Sequence, residues 1–291
     1  MSESTSYFER FRRQLDEMDF ETLPLFNRPF FAWSLKTDFV GRRLVYRPIA
    51  ESTMDAARSM LGRFRLGDGA VVLAEGQTAG RGRDGRAWIS PPDVSLPLTL
   101  VMRMPLERMR HLAYITPLAI ALSLEDAASA RGLPLKVDLK WPNDVQIGGL
   151  KVAGVLIETT ADAEGQTAAL IGVGINVNLD VASYPEIAEI ATSLRDALGV
   201  EIPREEVLAG FCNHFEQLHL QALAGDNSAF QAWRGRLVTL GREVVATGSS
   251  KTIRGRAIDV AADGTLIIET ADGARVSVEA GDVTLSAREA N

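Results

Sequence analysis

The stretch VDLKWPNDVQIGGLKVAGVLIET, residues 137–159, decides how this chain folds. Val137–Trp141 predicts a strand, and Pro142 turns the chain out of the sheet, leaving Asn143 and Asp144 at a strand end. Val145–Ile147 predicts a second strand that reverses through Gly148-Gly149 into Val152–Thr159, a hairpin signal. Upstream, Leu44–Ile49, Ala70–Ala74 (AVVLA) and Ser95–Met104 (SLPLTLVMRM) predict further strands. A helix begins between the first two, with Ser52 or Thr53 as N-cap and Asp55 in its first turn. Thr116 and Pro117 predict the N-cap and first residue of a helix reaching Gly132, with Leu118, Ala119 and Leu122 on one face. Downstream, Ala168–Val177 (AALIGVGINV) predicts an apolar strand. Pro203 predicts a helix start with Glu205 and Glu206 in the first turn and Val207, Leu208, Phe211, Phe215 and Leu218 along one side. Residues 43–235 therefore read as an α/β unit.

After Arg236 the period shortens. Val238, Val244, Ile253, Ile258, Leu266–Ile268, Val276–Val278 and Val283 alternate with polar residues. Turn signals at Asp263-Gly264, Asp272-Gly273 and Gly281-Asp282 separate them, which predicts a barrel-like module of about five strands over 236–291. Residues 1–42 predict a short helix around Tyr7–Met18 and an irregular arm over Leu23–Phe31. They lack the pair of helices joined by a short turn that a helix-turn-helix needs.

The 291 residues are 46% hydrophobic and 24% charged, enough to fill a large domain and a small one. A net charge of −7 opposes general affinity for nucleic acid. The one cysteine, Cys212, lies in an apolar helical pattern and reads as a buried structural thiol. His111, His214 and His219 show no metal-ligand spacing and are expected on helix faces or the surface. With no signal peptide and no apolar run of about 18 residues, the expected compartment is the cytoplasm, without a membrane partner. Apolar edge strands would allow a homodimer.

Four segments carry chemistry. In Ala74–Trp88 (AEGQTAGRGRDGRAW), Arg81, Arg83 and Arg86 alternate with Gly80, Gly82 and Gly85 ahead of Trp88. Arginine supplies forked donors for phosphate or carboxylate, glycine lets backbone amides approach an anion, and tryptophan offers a face for a base. A solvated turn is the competing reading. The literal G-x-G-x-x-G match is rejected as a dinucleotide site, because Pro91-Pro92 forbids the helix that must follow. Lys140–Asp144 with Lys151 places Asn143, Asp144 and Lys151 near one strand end, where Asp144 could hold Mg²⁺; an Asn-Asp turn beside a surface lysine competes. In Gly172–Asn178 (GVGINVN), two glycines in a buried strand imply close approach by a ligand or by a helix, with Asn176 on the face of Gly174. Glu51–Asp55 (ESTMD) sets hydroxyls and amides at a helix start that can cap the helix and bind a polar head.

In this order, EST-M-D, GQTAGRGRDGRAW, KWPNDV with GGLKVAGVLIE, and GVGINVN closely resemble biotin protein ligase, and the tail ending GDVTLS is similar to that family's last domain. The resemblance covers about residues 44–288. It implies an α+β fold, a mixed β-sheet with flanking helices of the class II synthetase-like biotin–lipoate ligase type, plus a small SH3-like C-terminal barrel. The implied activity is ATP-dependent ligation of biotin to a lysine of a biotin carboxyl carrier protein, through biotinyl-5′-AMP with release of pyrophosphate. The resemblance assigns Ser52, Thr53, the backbone of Met54 and Gln77 to the ureido head, and Arg81, Gly82 and Arg83 to a cover over biotin and adenylate. Lys151 falls beside the biotin carboxylate and α-phosphate. Arg86, Trp88, Asn143 and Asn176 fall on the nucleotide, and Asp144 on Mg²⁺. Lys151, Arg81 and Arg83 are the implied catalytic groups. Met54 stands where many members carry Asn. Members that also act as repressors carry an N-terminal winged helix-turn-helix; residues 1–42 are short for one, so a ligase without DNA as partner is expected. A lipoate ligase shares the adenylate logic, and a non-catalytic biotin- or nucleotide-binding regulator is the reading from another class.

Overall fold

The computed structural model describes residues 25–63, 66–247, 252–279 and 282–285. The helix expected around Tyr7–Met18 lies outside them. A seven-stranded mixed sheet is built from β1 (Leu44–Ala50), β2 (Ala70–Gln77), β3 (Ser95–Arg103), β4 (Asp138–Lys140), β5 (Asp144–Ile147), β6 (Leu150–Ala161) and β7 (Thr167–Asn176), in the order β1-β2-β3-β7-β6-β5-β4. Only β1 and β2 run parallel, because α2 (Thr53–Leu61) crosses over between them; the other neighbours are antiparallel. The β5–β6 hairpin turns at Gly148 (φ 60°) and Gly149 (φ 87°), a pair of left-handed residues that glycine adopts without strain.

The sheet is covered on both faces, which explains its continuous apolar runs. Val72, Ala70, Val101 and Leu170 meet Met54, Ala57 and Leu61 of α2 on one face. Val71, Leu73, Leu98, Leu100 and Ile171 face α3 (Leu112–Ser129) and α5 (Arg204–Leu223) on the other. The short α4 (Leu194–Leu198) leads towards α5, and α6 (Ser228–Gly235) packs on α3. Cys212 is buried on α5, and burial pushes its thiol pKa up, as a structural thiol requires.

Two expectations are corrected. α3 begins at Leu112, so Pro117 lies inside it and Thr116 is no cap; the Thr116 hydroxyl donates to the Leu112 carbonyl at 2.7 Å. Burial of Leu112, Tyr114 and Ile115 extends the helix past the proline, with packing outweighing local preference. The arm expected over Leu23–Phe31 instead enters a helix, α1 (Arg28–Ser34). The Asn27 side chain accepts from the Phe30 amide at 3.0 Å, Pro29 falls where no amide partner is needed, and Phe31 is buried. The Glu216 carboxylate of α5 accepts the amides of Asp38, Phe39 and Val40, fixing the chain after α1. His219 lies on a face of α5 as expected, and there it forms a buried pair with His111 at the start of α3, ring nitrogens 2.8 Å apart.

The C-terminal module is a five-stranded antiparallel sheet, order β11-β10-β9-β8-β12, from β8 (Glu243–Thr247), β9 (Thr252–Val260), β10 (Leu266–Glu269), β11 (Arg275–Val278) and β12 (Asp282–Leu285). Its strand count matches the expectation. It shares a continuous core with the larger unit through Val244, Ala246, Leu266 and Val283. Trp141 spans the junction, donating its indole N–H to the Gly264 carbonyl at 2.8 Å and its amide to the Thr239 hydroxyl at 3.0 Å. Among the described residues, no helix is long and apolar enough to cross a membrane.

Candidate active site

A cavity of about 500 Å³ opens where α2, the 80–88 segment, the β4–β6 strand ends and β7 converge, with Val283 and Thr284 of β12 on its wall. Every residue to which the resemblance assigns a ligand lines it. Its walls carry Arg81, Arg83, Arg86, Lys140 and Lys151 against Asp144 and Glu189, so it is locally cationic in a chain whose net charge is −7. That sign favours an anionic ligand.

One end is a buried polar pocket. Ser52 holds the N-cap position of α2 in extended geometry, but its hydroxyl makes no cap bond. The Gln77 side-chain oxygen takes the capping role, accepting from the Thr53 amide at 2.9 Å and the Thr53 hydroxyl at 3.2 Å. The Thr99 hydroxyl donates to Thr53 Oγ1 at 2.9 Å, and Gln77 Nε2 donates to Ser90 Oγ at 3.4 Å. Thr99 and Ser90 were missed by sequence reasoning. Thr99 had a signal: it is a lone threonine in the otherwise apolar run LPLTLVM. Buried hydroxyls and a carboxamide held this way suit a small polar head with donors and acceptors of its own.

The 80–88 segment is a β-hairpin with an exposed tip at Asp84–Arg86. The Trp88 amide donates to the Gly80 carbonyl at 2.9 Å, Arg81 bridges Ala87, and the Gly82 amide donates to the Arg86 carbonyl at 2.7 Å. Asp84 (φ 54°, ψ 30°) and Gly85 (φ 71°) reverse the chain, the Asp-Gly chemistry that left-handed turn positions favour. The segment makes a single 3-10 turn at Arg83–Gly85 and opens no α-helix, as rejection of the dinucleotide fingerprint requires. Gly80 is held because an added Cβ would lie 2.6 Å from the Trp88 carbonyl oxygen.

The two strand glycines are explained by close neighbours, a helix side chain at Gly172, as one of the two expected sources, and the hairpin indole at Gly174. A Cβ at Gly172 would lie 2.6 Å from Met54 Sδ of α2, and one at Gly174 would lie 2.2 Å from Trp88 Cε2. The indole thus lies against the Gly174 backbone, and its Nε1 is buried with no hydrogen-bond partner. A buried unmet donor costs about 1–3 kcal/mol, which a ligand acceptor can recover.

At the strand ends, Lys151 Nζ lies 2.5 Å from Asp144 Oδ1 and 5.4 Å from the centre of the Trp88 ring. Asn143 donates its side-chain N–H to the Val155 carbonyl at 2.6 Å, and Asn176 donates to the Thr192 carbonyl at 3.1 Å. Each bond engages one of two amide hydrogens and leaves the side-chain oxygen to serve a ligand. Among the described residues no group of three His, Cys, Asp or Glu side chains is placed to hold a metal. Asp144, already paired with Lys151, fits an Mg²⁺ that arrives on nucleotide phosphates and takes one carboxylate from the protein.

Residues 46–178 match the model of the biotin/lipoate A/B protein ligase family, and residues 239–286 match that of the biotin protein ligase C-terminal domain. The chain is 31% identical over 257 residues to the bifunctional ligase/repressor BirA of Bacillus subtilis, covering 87% of this chain and 77% of that protein. It is 31% identical over 260 residues to the biotin--[acetyl-CoA-carboxylase] ligase of Mycobacterium tuberculosis, covering 86% and 93%. Its fold is similar to a solved structure of biotin protein ligase from Aquifex aeolicus in complex with biotin and ATP, with a TM-score of 0.69, 27% identity, and coverage of 84% and 99%. With this gathered cavity and these similarities over most of its length, the chain belongs to the biotin/lipoate A/B protein ligase family.

Proposed function

We propose that the protein is a biotin--[biotin carboxyl-carrier protein] ligase, activating biotin with MgATP and transferring it to a carrier lysine. The observation that carries the reading is the single cavity joining a buried polar pocket to a cation-lined wall. Such a shape fits a ligand with an uncharged polar head and an anionic reacting end. The match of residues 239–286 to the biotin protein ligase C-terminal domain supports biotin over lipoate. The larger domain takes residues 43–235 and the smaller 236–291, with residues 1–42 as an N-terminal arm.

In the first step, a biotin carboxylate oxygen attacks the α-phosphorus of ATP; the bond to the bridging oxygen breaks, and pyrophosphate leaves with its electron pair. Both reactants are anions. Arg81, Arg83, Arg86 and Lys151 lower their mutual repulsion, and Asp144 would hold the nucleotide's Mg²⁺, which would supply further neutralisation of phosphate charge. Ser52, Thr53, the Met54 backbone and Gln77 hold the ureido head, and Trp88, Asn143 and Asn176 hold the nucleotide. Positioning supplies most of the rate because no side chain forms a covalent bond. In the second step a neutral lysine amine attacks the acyl carbon, AMP leaves from the mixed anhydride, and the amine loses a proton. Until then the hairpin, with Gly82 and Arg83 facing the cavity, shields the anhydride from water. The protein substrate is the carrier domain of a biotin-dependent carboxylase. Operator DNA is not among the partners proposed, in keeping with the net charge of −7.

The test is incubation with MgATP, a carrier domain and either biotin or lipoate. Biotin is expected to give pyrophosphate and a labelled carrier lysine. Labelling with lipoate alone would overturn the choice of substrate, and tight binding of biotin and ATP without pyrophosphate would make the chain a regulator.

A further inference from the structure

We infer that Asp55 is a positioning residue: it is the post to which the Arg81–Ala87 hairpin is latched, and it sets how long the acyl-adenylate is retained. This deepens the ligase reading and rests on it. Arg81 lies at the base of the hairpin, bridged to Ala87 and flanked by Gly80 and Gly82. Its guanidinium does not stand alone against the cavity. Nη1 donates to Asp55 Oδ2 at 2.6 Å and Nη2 to Asp55 Oδ1 at 2.7 Å, a two-pronged pair. Such parallel bonds fix orientation as well as distance.

Asp55 is itself well anchored. It sits in the first turn of α2, where the helix dipole favours a carboxylate. Arg58 lies 3.2 Å away one turn on and pairs in turn with Glu158 of β6. Hydrogen bonding from Arg81 holds the Asp55 carboxyl below the usual carboxylate range. The turn of α2 that presents Ser52 and Thr53 to the polar pocket therefore also grips the cover.

Arg81 therefore has a task beyond facing the cavity. Its charge is largely answered by Asp55, so it contributes less to offsetting phosphate charge and more to holding the hairpin down. The latch is also of the right strength. Arg81 is 41% exposed and Asp55 42%, so water screens the pair. A buried bridge would trap the adenylate against the carrier lysine, whereas a solvent-accessible one opens on every turnover.

The wild-type protein, Asp55→Asn, Asp55→Glu, Arg81→Gln and the double variant Asp55→Asn/Arg81→Gln are each loaded with biotin and MgATP. Free ligand is removed, and adenylate release is followed together with biotin transfer to lysines of a bystander protein. Asp55→Asn is expected to release adenylate about threefold faster, in line with the modest worth of an exposed pair, while its pyrophosphate burst is unchanged. Asp55→Glu restores part of the retention, and the double variant is no leakier than the worse single one, because the two groups act as a unit. Should the helix variant lose stability, Arg81→Gln reads the same contact from the hairpin side. Retention in Asp55→Asn equal to wild type, or additive losses in the double variant, would overturn the latch. A wild type that forms no adenylate overturns the ligase reading itself.

Discussion

We propose that the chemistry of the first step turns on Lys151, whose ammonium is shared between the Asp144 carboxylate and the face of Trp88. Both partners hold the charge at the strand end where two anions must meet. Lys151→Ala is expected to slow the pyrophosphate burst by about 10²–10³-fold, the scale seen when one fixed donor to a developing charge is removed. A near-normal burst would take Lys151 out of the reaction. Gly174 is the complementary case. A methyl group there would fall 2.2 Å from Trp88 Cε2, so Gly174→Ala must push the indole off the strand. Overpacking of this kind costs about 1–3 kcal/mol, and we expect it as a rise of about tenfold in KM for ATP with a smaller change in KM for biotin. Equal effects on both substrates would show that Trp88 does not address the nucleotide. These residues were legible in the sequence because each is unusual in its setting: arginines between glycines, glycines inside an apolar strand, a lysine opening a return strand. Thr99 and Ser90 were not, since their importance lies in which neighbours their hydroxyls meet across the sheet.

At the scale of elements, strands were readable and helix boundaries less so. The hairpin at Gly148-Gly149 and the apolar runs of β2, β3 and β7 announce themselves, because strands buried on both faces tolerate little else. α3 misled at its start: Thr116-Pro117 has the chemistry of a helix opening, yet apolar contacts of Leu112, Tyr114 and Ile115 carry the helix further back. The His111–His219 pair was likewise invisible, since it arises only when α3 packs on α5. Burial pushes His111 down to about 4, with the neighbouring His219 adding to the effect, and burial also lowers His219. Above the ordinary histidine value near 6.5 both rings are neutral folded or unfolded, and the stability of the neutral pair is fully present. As pH falls from about 6.5 toward about 4, the unfolded chain takes up protons that the folded chain refuses, so stability is lost across that window. The thermal midpoint is therefore expected to drop more steeply there in the wild type than in a His111→Gln/His219→Gln variant. Parallel slopes would mean the pair does not drive acid sensitivity.

Over the whole molecule, the two units read from the sequence as a change of period share one core. Val244, Ala246, Leu266, Ile268 and Val283 join the cluster that contains Leu139, Trp141 and Val145, and Arg234 pairs with Asp259 at 2.7 Å across the junction. A shared core of this size predicts one cooperative thermal transition for the chain, and two resolved transitions in calorimetry would contradict it. The junction also matters for function, because Val283 and Thr284 bring the small module to the cavity wall. What the cavity makes is the central claim, and a single-turnover reaction tests it most directly. Enzyme in excess is mixed with biotin and α-phosphate-labelled ATP, and the bound fraction is isolated. One pyrophosphate is expected for each biotinyl-AMP retained, and the adenylate is expected to discharge only when a carrier lysine is added. ATP consumed without a retained acyl-adenylate, or a bound adenylate that no carrier lysine discharges, would contradict it.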